Sequence, residues 1–117
     1  MKPIKLLVYG TLKKGYALNG YLTDSKRLGV GTLKGYEMYS NNYYPMIIKS
    51  SDANACITGE VYEITNEETL KALDLVEGQY IRTKVEVELD DEIVEVEIYV
   101  YSYEITRESK IVGGVWN

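Results

Sequence analysis

The chain has 117 residues, the length of one domain, which is enough to bury a hydrophobic core without disulfides or a structural metal. Its 45% hydrophobic and 26% charged residues are typical of a folded globular protein, and we expect a single domain over residues 1–117. The net charge of -5 argues against a nucleic-acid partner, because binding to a phosphate backbone requires a basic surface.

Two scarce residue types restrict the chemistry. The chain has no histidine and a single cysteine, Cys56. A Ser-His-Asp or Cys-His catalytic centre cannot be built, and a zinc site would lack its usual imidazole or multiple thiolate ligands. Proton transfer would therefore use carboxylates, lysines or tyrosines, and we expect no bound metal.

The sequence predicts a cytoplasmic protein without a membrane-spanning segment. Apolar stretches such as residues 4–8 are far shorter than the roughly 18 to 20 residues that cross a bilayer. The N-terminus also lacks the layout of a signal peptide.

The first half of the chain is predicted to be rich in strands, with one short helical turn at residues 17–22. Gly29, Gly31 and Gly35 indicate bulges or bends, which let a sheet curl or close. The predicted strands lie at residues 2–9, 29–39, 46–49 and 56–64.

One main helix is predicted at residues 65–76. Thr65 and Glu68 have the spacing of a capping box, and Gly78 stands where a left-handed residue would end the helix. Acidic residues in the first turn suit the positive end of the helix dipole.

Residues 84–101 predict an antiparallel hairpin that turns at residues 90–92. Aliphatic residues alternate with glutamates on both arms, and we expect these glutamates to face water. The elements together predict an α+β fold, in which a curled or barrel-like sheet carries one main helix.

Glu77 is the best catalytic candidate. It follows Leu70 and Leu73 on one face of the predicted helix, within about 40° of one another, and it lies in the last turn. Burial and the negative end of the helix would both raise the pKa of its carboxyl and make it a useful proton acceptor near neutral pH. The alternative is a frayed last turn in which Glu77 reaches water.

The stretch VYGTLKKG, residues 8–15, is spaced like the start of a phosphate-binding loop. Tyr16 and Ala17, however, stand where that motif needs lysine and serine or threonine, so we reject a nucleotide site. Two interpretations remain, a turn whose backbone N–H groups bind a small anion such as a carboxylate, and an ordinary glycine turn. Lys13 and Lys14 are expected to be solvated.

Four segments of the chain form a recognisable set: Tyr9-Gly10-Thr11-Leu12, Gly59-Glu60-Val61-Tyr62, Leu73-Asp74-Leu75-Val76-Glu77-Gly78 and Tyr80-x-Arg82. Together they resemble the γ-glutamylcyclotransferase-like family, closest to its γ-glutamylamine cyclotransferase branch. The similarity extends from Val8 to about Tyr101. The resemblance implies a small mixed β-barrel with flanking helices. It also implies that Tyr9, Gly10, Thr11 and Leu12 bind the α-amino-acid end of a γ-glutamyl group while Glu77 acts as the base.

The reaction implied by this resemblance is an intramolecular cyclisation of a small γ-glutamyl substrate. The α-amine attacks the γ-carbonyl and gives 5-oxoproline and an amine or amino acid, with no metal or cofactor. Two alternatives are a non-catalytic module that binds a carboxylate metabolite at the same loop, and a cyclotransferase for a carrier-linked γ-glutamyl group. Only Gln79 separates Gly78 from Tyr80, where many relatives have a longer insertion, so the wall around the leaving group is expected to be reduced.

Trp116 lies close to the C-terminus of the sequence. A single large aromatic residue in such a place usually tethers a terminus to the core. We therefore expect Trp116 to cap the core.

Overall fold

The computed structural model describes residues 2–41, 43–105 and 109–116. In chain order the elements are β1 (Ile4–Val8), a 3₁₀ helix (Asn19–Leu22), β2 (Lys26–Lys34), β3 (Tyr36–Ser40), β4 (Pro45–Lys49), β5 (Cys56–Ile64), α1 (Glu67–Val76), β6 (Tyr80–Leu89), β7 (Glu92–Tyr101) and β8 (Ser109–Ile111). The fold is the predicted small mixed barrel with one main helix and a short second helix.

Five strands close the barrel in the order β1-β5-β2-β6-β7, and β4-β3-β8 form a second, three-stranded sheet. β1 pairs antiparallel with β5 and parallel with β7, which makes the barrel mixed. The loop that follows β1 therefore leaves the barrel between β5 and β7.

Strand patterns predicted most of the sheet, and β5 has the predicted bounds. The strand predicted at residues 29–39 is in fact two strands. Gly35, at φ +84°, separates β2 in the barrel from β3 in the second sheet. A register shift between Arg27 and Gly29 marks the bulge that the glycines suggested.

The predicted hairpin is formed by β6 and β7. Asp90 (φ 51°) and Asp91 (φ 65°) make the two-residue turn, and Leu89 pairs with Glu92, so Glu92 begins β7. Positive φ at both central residues is the geometry of a tight β-hairpin turn. Most of the hairpin glutamates are exposed as predicted, namely Glu86, Glu88 and Glu95. Glu97 differs, because its carboxylate lies half-buried against Arg82.

Both predicted caps of the main helix are wrong. The cap at its start is Asn66, whose side chain accepts the N–H of Glu68 at 2.9 Å, while Thr65 lies exposed one residue earlier. At the other end Gly78 does not adopt a positive φ. The helix ends at Glu77 (φ -94°, ψ 40°), whose N–H reaches the carbonyl of Leu73 at 2.9 Å.

Buried side chains form two clusters on opposite faces of β1. Leu7 belongs to the cluster that joins barrel strands to the second sheet. Leu6 belongs to the other cluster, with Leu70 and Leu73 of α1. Complete burial of one such leucine stabilises the fold by roughly 1.5–3 kcal/mol, so these contacts fix the helix on the barrel. No helix in the described part of the chain has both the length and the apolar character that a bilayer crossing needs.

Candidate active site

A cavity of about 250 Å³ lies between the end of α1, the loop after β1 and the start of β4. Its walls are largely apolar and aromatic. The lining residues are Leu7, Val8, Tyr9, Gly10, Thr11, Leu12, Leu18, Tyr43, Tyr44, Pro45, Val76, Glu77, Gln79, Tyr80 and Tyr99. All five site residues proposed from the sequence thus lie at one cavity.

Glu77 is the one carboxylate among these described lining residues. It sits at the C-terminal end of α1 and is half-buried, in line with the buried Leu70 and Leu73 and not frayed into water. Burial raises the pKa of its carboxyl to about 7, because the apolar wall disfavours the charged form. A group with this pKa can both accept and return a proton near neutral pH.

Backbone hydrogen bonds shape the loop after β1, among them one from the N–H of Lys13 to the carbonyl of Gly10 (3.0 Å) and one from the N–H of Leu18 to the carbonyl of Thr11 (2.9 Å). The backbone N–H groups of Gly10, Thr11 and Leu12 donate to no described residue. Buried backbone amides are almost always paired, so three consecutive free donors beside a cavity suit an anionic or carbonyl ligand.

Gly10 is required at the wall of the cavity for steric reasons. A Cβ at this position would lie 2.5 Å from Cγ and 2.8 Å from Cδ of Pro45. The loop backbone can therefore approach β4 only because residue 10 has no side chain.

The buried tyrosines of the site use their hydroxyl groups within the protein. Tyr9 donates to the carbonyl of Tyr99, and Tyr80 donates to the carbonyl of Pro45, both at 2.7 Å. Burial is the main cause that raises the pKa of the Tyr9, Tyr80 and Tyr99 phenols, so all three are neutral at physiological pH. The hydroxyl groups of Tyr9, Tyr80 and Tyr99 thus donate within the protein and not to a ligand.

Sequence reasoning missed a charged network at the end of α1. Arg82 donates from Nε and Nη2 to the two carboxylate oxygens of Asp74 (3.0 and 3.1 Å) and from Nη1 to Glu97 (2.7 Å). The hydroxyl of Tyr99 donates to the same Asp74 carboxylate at 2.7 Å. The Tyr80-x-Arg82 pattern was the one signal for it, and that pattern does not reveal the partners of Arg82.

The two lysines of the loop differ in environment. Lys14 is exposed as predicted, but the prediction was wrong for Lys13, which is only 8% exposed. The ammonium group of Lys13 donates to the carbonyl of Trp116 at 2.5 Å and lies 5.0 Å from the centre of the Tyr16 ring. Trp116 itself packs against the core cluster, as predicted. Neither lysine lines the cavity.

Across residues 2–41, 43–105 and 109–116, no group of three or more Cys, Asp or Glu side chains is placed to hold a metal ion.

Relatives of this chain share both its sequence and its fold. It is 28% identical over 116 residues to YtfP of Escherichia coli, a gamma-glutamylcyclotransferase family protein, covering 97% of this chain and 96% of YtfP. It is 36% identical to PH0828 of Pyrococcus horikoshii over 76 residues, and this alignment covers 65% of this chain and 61% of PH0828. The crystal structure of PH0828 matches 96% of this chain and 88% of its own, at a TM-score of 0.76 and 27% identity.

An AIG2-like protein from Mus musculus shares the fold, with a TM-score of 0.83 at 21% identity, over all of this chain and 90% of the mouse protein. The model of one family, described as gamma-glutamyl cyclotransferase, AIG2-like, matches residues 6–117. That match covers almost the whole sequence, and the chain belongs to the gamma-glutamyl cyclotransferase, AIG2-like family.

Proposed function

We propose that this protein is a γ-glutamyl cyclotransferase that releases 5-oxoproline from a small γ-glutamyl compound. One observation carries the proposal. A half-buried glutamate with a pKa of about 7 shares a small apolar cavity with three consecutive backbone amides that have no acceptor in the described protein. The first group suits proton transfer, and the second suits an anion or a developing oxyanion.

The amides of Gly10, Thr11 and Leu12 are proposed to hold the α-amino-acid end of the substrate. The described lining residues include no lysine or arginine, so these backbone dipoles are the positive groups that the cavity offers a carboxylate. Binding in the small cavity would fold the substrate so that its α-amine lies close to its own γ-carbonyl. Such an arrangement can supply several kcal/mol of the barrier, about 7 at high effective molarity.

Glu77 is proposed to move the proton. Its carboxylate accepts a proton from the α-ammonium, and the freed amine forms a C–N bond to the γ-carbon. The negative charge that develops on the carbonyl oxygen is stabilised by a loop amide. Glu77 then returns its proton to the leaving nitrogen, and the bond from the γ-carbon to that nitrogen breaks. The ring nitrogen, which still carries both hydrogens of the attacking amine, gives up one of them through the regenerated carboxylate to the departing amine, which leaves as an ammonium ion. The sequence of steps regenerates the carboxylate and needs no external nucleophile.

The outer wall of the cavity favours an amine over an amino acid as the leaving group. Tyr43 is 80% exposed and Val76 is 40% exposed, so these lining residues mark its open side, together with the exposed Gln79. None of the three provides a positive charge for a second carboxylate. A γ-glutamylamine would meet apolar surface and one amide there.

The test is an assay of 5-oxoproline with a panel of γ-glutamyl amines, γ-glutamyl amino acids and carrier-linked γ-glutamyl groups. Glu77→Gln is expected to lower kcat by at least about 100-fold, since it removes the general base. Glu86→Gln, an exposed hairpin glutamate, is the matched control and should retain full activity. A panel member whose α-amine is acetylated should not react, because the nucleophile is blocked.

Other outcomes of the same assay would contradict the proposal. Full turnover in Glu77→Gln would remove Glu77 as the base. No product from any substrate, with a γ-glutamyl compound still protecting the protein against thermal unfolding, would indicate a binding module. Activity confined to the carrier-linked substrate would replace the small substrate with a carrier-bound one.

A further inference from the structure

Asp74 lies one helical turn before Glu77 and ties the end of α1 to the barrel by hydrogen bonds. Its carboxylate accepts two hydrogen bonds from the guanidinium of Arg82 on β6 and one from the hydroxyl of Tyr99 on β7. The distances are 2.7 to 3.1 Å. A two-point contact between guanidinium and carboxylate fixes orientation as well as distance.

The barrel side of this contact is itself held in place. Arg82 donates its remaining nitrogen to Glu97 at 2.7 Å, and the carbonyl of Tyr99 accepts the hydroxyl of Tyr9 at 2.7 Å. Tyr9 and Tyr99 both line the cavity. The network thus connects the last turn of α1 to β6 and β7 and, through the hydroxyl of Tyr9, to the proposed substrate loop.

We propose that Asp74 is a positioning residue, which holds Glu77 against the cavity by fixing the last turn of α1 to Arg82 and Tyr99. The expected effect of Asp74 on kcat rests on the proposed function. Its expected effect on the position of Glu77 rests on the geometry alone. The half-burial of Glu77 follows from the position of that turn. The titratable groups that face Glu77 are Tyr9 from the loop after β1, Tyr80 from β6 and Tyr99 from β7, and all three are neutral phenols at physiological pH.

The experiment compares Asp74→Ala with Glu97→Ala. Each variant removes one carboxylate from Arg82, but only the first removes the contact of the last turn of α1 with Arg82 and Tyr99, so the pair separates positioning of Glu77 from loss of an ion pair. We expect Asp74→Ala to lower kcat by about 10- to 100-fold, with KM changed less than about 3-fold, because the displaced base misses its near-attack geometry. Glu97→Ala should change kcat by less than about 3-fold.

A second readout follows the site of Glu77 without any substrate. The carboxyl of Glu77, assigned by comparison with Glu77→Gln, is titrated by carbon-13 NMR in the wild type and both variants. The wild-type midpoint near pH 7 should fall toward the ordinary value of 4.5 in Asp74→Ala, because the freed turn lets Glu77 reach water, and should stay in place in Glu97→Ala.

Asp74→Asn keeps the shape of the side chain and can still accept the Tyr99 hydroxyl, but it loses the charge and the second oxygen that Arg82 contacts, so it tests the two-point contact with Arg82 if Asp74→Ala does not fold. Unchanged kcat and an unchanged Glu77 midpoint in a folded Asp74 variant would overturn the proposal, as would equal losses in the Asp74 and Glu97 variants. If the wild type makes no 5-oxoproline, the proposed function fails, whereas the NMR comparison still decides the positioning role of Asp74.

Discussion

At Glu77 the requirement for proton transfer opposes the stability of the fold. The folded-state pKa of about 7 lies above the ordinary value of 4.5, so the folded protein binds this proton more tightly than the unfolded chain does. Its stabilising contribution is complete below about pH 4.5 and is lost as the pH rises through 7. The difference is on the order of 3 kcal/mol.

Glu77→Gln should therefore stabilise the protein at pH 8 and have little effect at pH 4.5. Glutamine avoids the burial of a charge, so we expect the free energy of unfolding at pH 8 to rise by about 1–3 kcal/mol. Urea unfolding at the two pH values measures it, with the exposed Glu86→Gln as the control. Equal effects at both pH values would show that the Glu77 carboxyl titrates as if it were in water.

At this scale the sequence predicted the placement of side chains that follows from local pattern. Glu77 could be predicted because helical periodicity puts it in line with Leu70 and Leu73. The partners of Arg82 could not, since they are eight and fifteen residues away along the chain and meet it only once α1 and β7 are in place. Burial of Lys13 was missed for the same reason.

Among the elements, α1 carries Glu77, and the identity of the residue that caps the start of this helix can be tested directly. The amide oxygen of Asn66 accepts the N–H of Glu68 at 2.9 Å, whereas Thr65, which the sequence favoured as the cap, lies outside the helix. Asn66 also donates to the carboxylate of Asp24 at 2.8 Å, which ties the start of α1 to the segment after the 3₁₀ helix.

Asn66→Ala should lower the free energy of unfolding by about 1 kcal/mol, the usual loss when an N-cap side chain is removed. Thr65→Ala should change it by less than about 0.5 kcal/mol, because this is a surface substitution with no capping contact. Chemical denaturation of the two variants gives the comparison. A larger loss in Thr65→Ala than in Asn66→Ala would restore the capping box predicted from the sequence.

Elements with a strong repeating pattern were predictable, and those defined by tertiary context were not. β5 and the β6–β7 hairpin show clear alternation of apolar and polar residues. Gly35 was included within one strand because nothing local indicates that β2 and β3 belong to different sheets. β8 was missed because three residues, Ser109–Ile111, are too few to carry a pattern.

Across the whole molecule, the C-terminal segment closes against the N-terminal loop. The carbonyl of Gly114 accepts the N–H of Thr58 at 3.0 Å, and a Cβ at Gly114 would overlap the carbonyl of Cys56. The buried ammonium of Lys13 completes this closure at Trp116, 103 residues along the chain. The loop that lines the cavity is thereby braced by the C-terminal segment.

Lys13→Met should lower the free energy of unfolding by about 1–2 kcal/mol, since it leaves the Trp116 carbonyl without this charged donor. Lys14→Met is the matched control, an adjacent lysine with an exposed side chain, and should be nearly neutral. Thermal unfolding of both variants measures the difference. Equal stability of the two variants would contradict the brace formed by Lys13.

The pH dependence of 5-oxoproline formation tests the central claim most directly. With a γ-glutamylamine that reacts, kcat/KM should rise tenfold per pH unit below a midpoint near 7, the pKa of Glu77, and level off above it. Glu77→Gln should abolish this rise of kcat/KM with pH, the acidic limb of the profile, together with the activity. A wild-type profile that is flat between pH 5 and 8, or an unaltered limb in Glu77→Gln, would contradict the assignment of Glu77 as the base.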